Sequence, residues 1–203
     1  NAGWDGSVPA ILASTLARYL DGGHSVEALA IYECAYRAAR AAGDRKAQGE
    51  ALVGAGWAQV RQARYGLAAE HYEQALTLLR EADDRIGQAQ AHNGLGAVEQ
   101  ARGRVERAAE HHRRALDLYR LAADPVGEAS TLSNLGLVAL RSGHHEKAAD
   151  HFGRALALFR QLGDLMGEAI ALHNLGAALT RLGQPDLGLD HHRRALTIAR
   201  RIG

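Results

Sequence analysis

Eleven histidines are the side chains that most invite a chemical interpretation, as metal ligands or as acid–base groups. Four recur at intervals of forty residues: His71, His111, His151 and His191. In a stack of repeated helices, neighbouring copies lie about 10 Å apart, which is too far for one metal ion to take a ligand from each. Adjacent residues such as His111 and His112 point to different sides of a helix, so they cannot chelate as residues i and i+4 can. We therefore predict no metal site.

No other side-chain pattern indicates catalysis. The chain has no nucleophile motif, no glycine-rich phosphate loop and no pair of carboxylates with a plausible cleft. Gly94-Leu95-Gly96 falls inside a predicted helix and is not a nucleotide-binding loop. The single cysteine, Cys34, excludes an intrachain disulfide, favours a reducing compartment, and is expected to be an ordinary buried helix residue. We predict no enzymatic activity, no catalytic residues and no cofactor.

The composition argues against two classes of partner. A formal net charge of +1 and an aromatic content of 5% give neither the positive field nor the stacking platform that nucleic-acid binding needs. No apolar run is long enough to span a membrane, and no signal peptide is visible. We expect a cytoplasmic protein. Two lysines against 22 arginines, with abundant Ala and Gly, favour a bacterial source with a GC-rich genome.

The organising feature of the chain is a line of sequence repeated every forty residues. Its clearest copy spans residues 167–176, and it ends in Asn174-Leu175-Gly176. Three sets of identical residues coincide in this register: Gly56, Gly96, Gly136 and Gly176; Ala75, Ala115, Ala155 and Ala195; Leu76, Leu116, Leu156 and Leu196. A fixed period of this size indicates a stack of repeated structural units.

Two breaks divide each period into two helices. The first is Gly43-Asp44 and its counterparts at 83–84, 123–124 and 163–164, where a glycine can end one helix and the aspartate can cap the next. The second break falls at Gly103, Gly143 and Gly183, with Ala63 as the exception. The sequence therefore predicts an all-α fold with five helix-turn-helix repeats at about 5–44, 45–84, 85–124, 125–164 and 165–203.

Residues 1–7 are interpreted as a leader, and residues 8–203 as the repeat domain. Asn1-Ala2 stands where an initiator methionine would, so we interpret it as a remnant of recombinant expression on a piece of a longer protein. A natural processed N-terminus is the alternative.

The repeated apolar residues form a packing face on each helix. In the first helix of the fourth repeat these are Leu132, Leu135, Gly136 and Ala139, and in the second helix Ala148, Phe152, Ala155 and Leu156. Glycine at 136 and 176 should let the partner helix approach closely. The polar residues Gln59, His92 and Glu99 occupy packing positions where apolar residues are usual.

This pattern resembles the tetratricopeptide repeat, whose signature is Leu-Gly in the first helix followed by Ala, an aromatic residue and Ala in the second. Leu135-Gly136 with Ala148, Phe152 and Ala155 match it, whereas His112 replaces the aromatic residue one repeat earlier. The forty-residue period is similar to the longer variety found in spindle-orientation adaptors, kinesin light chains and bacterial signalling regulators. The resemblance implies a right-handed α-solenoid in which the first helices line a concave groove.

The remaining face of the first helices supplies the candidate peptide-binding residues. They are Asn93, Asn134, Asn174, Trp57, Val53, Val60, Leu137, His173, Arg61, Arg141 and Arg181. Asn134 and Asn174 are in register, with Asn93 one place earlier, and a ladder of amides can pair with an extended peptide backbone as the resemblance implies. Local hydrogen bonding is the alternative use of these amides.

The other members of the face offer charge and apolar surface. The recurring arginines, Arg61, Arg141 and Arg181, could bind carboxylates of an acidic ligand, or could be solvated surface residues. Trp57 with Val53 and Val60 could anchor a ligand, or could pack against the neighbouring repeat.

We therefore expect a scaffold that binds a protein or peptide, extended or helical, as the interaction or sensor segment of a larger cytosolic bacterial regulator. The alternative is a self-associating structural module. The last repeat has no polar capping helix after it, so Leu187, Leu196 and Ile198 would face solvent or a second copy.

Overall fold

The computed structural model describes residues 25–202, and every regular element in that range is an α-helix. The helices are α1 (Ser25–Ala42), α2 (Arg45–Arg61), α3 (Tyr65–Glu81), α4 (Arg85–Ala101), α5 (Val105–Leu121), α6 (Pro125–Arg141), α7 (His145–Leu162), α8 (Leu165–Arg181) and α9 (Pro185–Ile202). The predicted leader and the predicted first helix, from Val8 to Leu20, lie outside the described residues. Helices α2, α4, α6 and α8 are the first helices of repeats two to five.

Aspartate side chains cap all four first helices, as predicted. Asp44 accepts a hydrogen bond from the Ala47 N–H at 2.9 Å, and Asp164 accepts one from the Gly167 N–H at 2.9 Å. Asp84 and Asp124 make the equivalent contacts. Each cap satisfies a backbone donor that the first turn of a helix leaves unpaired.

Each turn between helices contains one residue in the left-handed conformation, whatever the residue type. The predicted glycines adopt it, with φ values from 69° to 78°. At equivalent positions Ala63, Asp83 and Ala123 adopt it too, with φ values of 55°, 52° and 51°. A side chain in this conformation costs about 1–2 kcal/mol, so the packing of the flanking helices holds these turns against local strain.

The described residues fall into two compact units, 25–104 and 105–202. In the first unit, α1 to α4 pack consecutively and α2 also contacts α4. The fully buried ring of Tyr72 belongs to the core cluster of this unit. A Cβ added to Gly56 or Gly94 would come within 2.6 Å or 2.2 Å of that ring. The two glycines therefore form the hole that receives the tyrosine.

In the second unit, α5 to α9 pack consecutively and α6 also contacts α8. Phe152 is fully buried, and a Cβ on Gly136 would come within 2.5 Å of its ring. The predicted packing face of the fourth repeat is confirmed, because Leu132, Leu135 and Leu156 are buried in one core cluster. The same pairing of a glycine with a large residue recurs at Gly127 with Tyr119 and at Gly167 with Phe159.

The polar residues at packing positions are buried and do not break the fold. Gln59, His92 and Glu99 are all at least nine-tenths buried. The Glu99 carboxylate accepts hydrogen bonds from Arg102 at 3.2 Å and Arg104 at 3.4 Å, which offsets its desolvation.

Cys34 is exposed, which corrects the expectation that it is buried. It shares its register with Gln74 and with three arginines, Arg114, Arg154 and Arg194, and all of these positions are exposed. The Arg37 Nη2 atom donates to the Cys34 Sγ atom at 3.2 Å.

Candidate peptide-binding face

One stripe on each first helix is turned away from the packing face, at positions i, i+4, i+7 and i+11. Its members are Glu50, Gly54, Trp57 and Arg61 on α2; Gln90, Gly94, Ala97 and Ala101 on α4; Ser130, Asn134, Leu137 and Arg141 on α6; and Ile170, Asn174, Ala177 and Arg181 on α8. We call this stripe the first-helix face. Its composition differs between the two units.

In the first unit the face carries one large apolar side chain, Trp57. It is 40% exposed, and its ring meets Tyr72 edge-on with ring centroids 6.0 Å apart. One edge of the indole therefore packs while the rest is accessible. Val60 is half-buried beside it. Val53 is 5% exposed and belongs to the core, so it offers a ligand no surface, contrary to the sequence-based expectation.

The predicted asparagine ladder does not extend into the first unit. Asn93 is 7% exposed, because it precedes the register of Asn134 and Asn174 by one residue and so lies about 100° around the helix. The matching positions are Gly54 and Gly94. A Cβ at either glycine would come within 2.2 Å of a tyrosine ring, so neither position has room for a side chain.

In the second unit, the side chains at the asparagine register are accessible to solvent. Asn134 and Asn174 are half-exposed on α6 and α8, which contact each other. Neither side-chain amide hydrogen-bonds to another described residue, unlike Ser133 and Thr180, whose hydroxyls donate to carbonyls of their own helices. The two amides therefore retain their donors and acceptors for a partner.

Charge and apolar surface flank the two asparagines. Leu137 is exposed one turn beyond Asn134. Arg141 and Arg181 are exposed at the last residues of α6 and α8, and neither makes an ion pair within the described part of the chain. Arg61 is exposed at the equivalent end of α2.

His173 lies beside the stripe, at the register of Val53. It is exposed, and its ring contacts His192 with centroids 4.9 Å apart. Because one residue corresponds to about 100° of helix rotation, His173 lies to the side of the first-helix face, as Asn93 does. Its imidazole is exposed, so it could contact a ligand that extends past Asn174 on that side.

Among residues 25–202, no group of three or more His, Cys, Asp or Glu side chains could hold a metal ion. Within the same range, each helix is too short or too polar to cross a membrane. Burial lowers the pKa of His71, His151 and His191, which keeps these histidines neutral at pH 7.

Helix pairs that recur every forty residues, each with the same register of residues on its first helix, define a helical-repeat protein. Two family models of the tetratricopeptide repeat match residues 87–161 and 169–202, which together make up more than half of the chain. The chain belongs to the tetratricopeptide repeat family.

Several solved structures share the fold. BtubC (BKLC) from P. vanneervenii is 24% identical with a TM-score of 0.81, over 96% of this chain and 82% of that one. A putative kinesin light chain from Podosopora anserina with nearly identical TPR-like repeats is 15% identical with a TM-score of 0.71, over 96% and 97%. A Rap protein in complex with Competence and Sporulation Factor is 16% identical with a TM-score of 0.82, over 98% and 56%. At these identities the likeness concerns the fold. No curated protein matches the chain.

Proposed function

We propose that this chain is a scaffold that binds a peptide segment along the first-helix face of its second unit. The observation that carries the proposal is the pair Asn134 and Asn174, two half-exposed amides in the same register of adjacent helices without internal hydrogen bonds. Two amides without an internal partner can hydrogen-bond to a ligand.

The spacing of the two amides suits an extended peptide. Neighbouring helices lie about 8–10 Å apart, and an extended chain rises about 3.3 Å per residue. Two asparagines on α6 and α8 would thus contact peptide groups about three residues apart. Each amide can donate to a ligand carbonyl and accept from a ligand N–H, so this contact does not depend on the ligand's sequence.

The flanking residues select among ligands. Arg141 and Arg181 can each bind a carboxylate through two parallel hydrogen bonds, which favours a segment with acidic residues near one end. Leu137 offers an apolar contact between the amide and the arginine of α6. In the first unit, Trp57 with Val60 and Arg61 repeats this combination of apolar and cationic side chains.

The fold supports a regulatory setting by analogy. A Rap protein of similar fold was solved in complex with Competence and Sporulation Factor, and this chain covers 56% of its length. We infer that the chain is the interaction or sensor segment of a larger regulator, in a bacterial cytoplasm. Fold-level analogy gives the kind of role and not the partner.

The test is binding of acidic peptides from a display library, measured by calorimetry for the wild type and for Asn134→Ala/Asn174→Ala. We expect the selected peptides to bind the double variant at least 10-fold more weakly. The matched control is Gln161→Ala/Gln184→Ala, which removes two exposed amides outside the face and should leave affinity unchanged. Equal affinity of wild type and double asparagine variant would rule out the ladder.

Self-association is the second candidate, favoured by the exposed apolar surface of α9. Leu187 and Leu196 are 56% and 50% exposed, with Leu189 and Ile202 also exposed, whereas Ile198 packs against the core of the second unit. Leu187→Glu/Leu196→Glu should then convert a concentration-dependent dimer into a monomer in sedimentation equilibrium. A wild type that stays monomeric at high concentration would exclude this candidate.

A further inference from the structure

A cavity of about 380 Å³ opens in the first unit, on a different face of α2 from the first-helix face. Its floor is formed by Ala51, Leu52 and Ala55 of α2. Its walls include Tyr32 and Tyr36 of α1 and His71 of α3. The volume lies within the range of small-molecule sites, at the lower end.

The cavity exists because the second repeat has a smaller residue at one position than the three repeats that follow it. Ala55 occupies the register where the next three repeats carry Leu95, Leu135 and Leu175. Leu135 is buried in the core of the second unit, which shows what this register normally does. The neighbouring Gly56 still receives the Tyr72 ring, so the repeat keeps its packing and lacks only the leucine side chain.

The walls combine flat apolar surface with hydrogen-bonding groups. The Tyr32 ring is held against Gly54, and Tyr36 packs against the core cluster of the first unit. Aromatic rings favour stacking with a flat or branched apolar group. Burial lowers the pKa of His71, so a neutral imidazole faces the cavity at pH 7 and can donate or accept.

The rim carries two opposite charges on one helix. Glu33 and Arg37 line the cavity, are exposed, and stand four residues apart on α1, so their Cβ atoms are about 6 Å from each other. Burial lowers the pKa of His71, and the charges of Glu70 and, to a smaller extent, Glu33 oppose that effect, so Glu33 is close enough across the cavity to act on the imidazole. The Arg37 Nη2 atom donates to the weak acceptor Cys34 Sγ, and no described carboxylate lies within ion-pair distance of its guanidinium.

We propose that this cavity binds a small zwitterion of amino-acid size with an apolar or aromatic group. The apolar group would lie on the Ala55 floor between the tyrosine rings, the ammonium near Glu33 and the carboxylate near Arg37. This site is separate from the peptide-binding face, so one chain would respond to a small molecule as well as to a peptide.

The test uses L-phenylalanine and L-leucine as probes, with phenethylamine and 3-phenylpropionate as analogues that each lack one charge. Titration should shift the methyl NMR signals of Ala51 and Ala55. Glu33→Gln should weaken phenethylamine at least 5-fold and leave 3-phenylpropionate unchanged, and Arg37→Gln should do the reverse.

The decisive variant is Ala55→Leu, which restores the leucine that three other repeats carry and should fold normally by circular dichroism. It should weaken both amino acids at least 10-fold, while Ala157→Leu, the same change at an exposed site of the second helix α7, should not. Retained binding in Ala55→Leu, or unshifted Ala51 and Ala55 methyl signals with every probe, would overturn the proposal. Peptide binding at Asn134 and Asn174 should be the same in both variants.

Discussion

The first helices of the two units use one register in opposite ways. In the first unit the register holds Gly54 and Gly94, and tyrosine rings occupy the space that a side chain would need. In the second unit it holds Asn134 and Asn174, whose amides reach the surface. One repeat position therefore serves as a packing hole in the first unit and carries a surface amide in the second.

The polar contact between the end of one helix pair and the start of the next also differs between the two units. In the first unit the Gln88 Nε2 atom donates to the Leu79 carbonyl at 3.2 Å. In the second unit the same register holds Glu168, which pairs with Arg160 at 2.7 Å. Both arrangements tie a helix end to its successor, but only the second depends on charge and weakens with salt.

Gly94→Asn gives the first unit the residue of the second and is the most disruptive change that we predict. Its Cβ alone would lie 2.2 Å from the Tyr72 ring, so the substitution should cost about 3 kcal/mol or more of unfolding free energy in urea denaturation. The reverse change, Asn134→Gly, should cost only about 0.3 kcal/mol, the difference in helix propensity between asparagine and glycine.

Gly153→Ala is the control for the glycine effect, because a Cβ there meets no atom within 4 Å. It should stabilise the protein by up to about 1 kcal/mol. A tolerated Gly94→Asn would show that the tyrosine ring moves freely, and the packing-hole explanation would then fail.

His112 stands at the register of Tyr72 and Phe152, in the repeat between them, and it should make the protein sensitive to acid. His112 is fully buried, and burial, assisted by the charge of His111, lowers its pKa from 6.5 to about 4. The unfolded chain takes up the proton first, so stability is complete above pH 6.5 and is lost as the pH falls towards 4. The expected loss is about 3 kcal/mol.

His112→Phe should flatten the stability of the protein between pH 6.5 and pH 4, measured by urea denaturation across that range. His173→Phe is the control, because His173 is exposed and its loss should leave the slope nearly unchanged. An unchanged slope in His112→Phe would mean that the imidazole is solvated in the folded state.

Tyr72→Phe gives the first unit the phenylalanine that the second unit carries at Phe152, and it should stabilise the protein. The Tyr72 hydroxyl is buried without a hydrogen-bond partner among the described residues, and burial raises its pKa. Removing it should raise the unfolding free energy by about 1 kcal/mol, while Phe152→Tyr should lower it by at least as much. A loss of stability in Tyr72→Phe would show that the hydroxyl has a partner after all.

Ala63→Gly should give the smallest effect. Ala63 has φ 55° where the second unit has Gly143 with φ 75°. Relief of strain, less the entropy that glycine adds to the unfolded chain, leaves a gain of about 0.5 kcal/mol in thermal unfolding. The reciprocal Gly143→Ala should lower the unfolding free energy by a similar amount. If both substitutions changed the unfolding free energy in the same direction, backbone strain at this turn position would not explain the result.

Periodicity predicts nearly all of the described fold, because the residues that begin and end each helix recur in every repeat. The aspartate caps and the leucine core of the fourth repeat follow from spacing alone. Val53 and Asn93 could not be placed so well, since both depend on which side of each helix its neighbours cover. Cys34 shows the same limit: its exposed counterparts, such as Arg114 and Arg154, were the signal that its register faces solvent.

The sequence also indicated part of the candidate peptide-binding face. The shared register of Asn134 and Asn174 pointed to the open face of the second unit. The cavity of the first unit had a signal too, in Ala55 where Leu95 and Leu135 stand one and two repeats later. Its depth depended on the orientation of Tyr32 and other side chains, which spacing does not give.

The most direct test of the peptide-binding claim is the NMR behaviour of the asparagine side-chain amides during titration with a selected acidic peptide. The proposal predicts that the Asn134 and Asn174 NH₂ signals shift together, with one shared dissociation constant, while the Asn93 signal stays in place. Saturating peptide that leaves the Asn134 and Asn174 signals unmoved would contradict it.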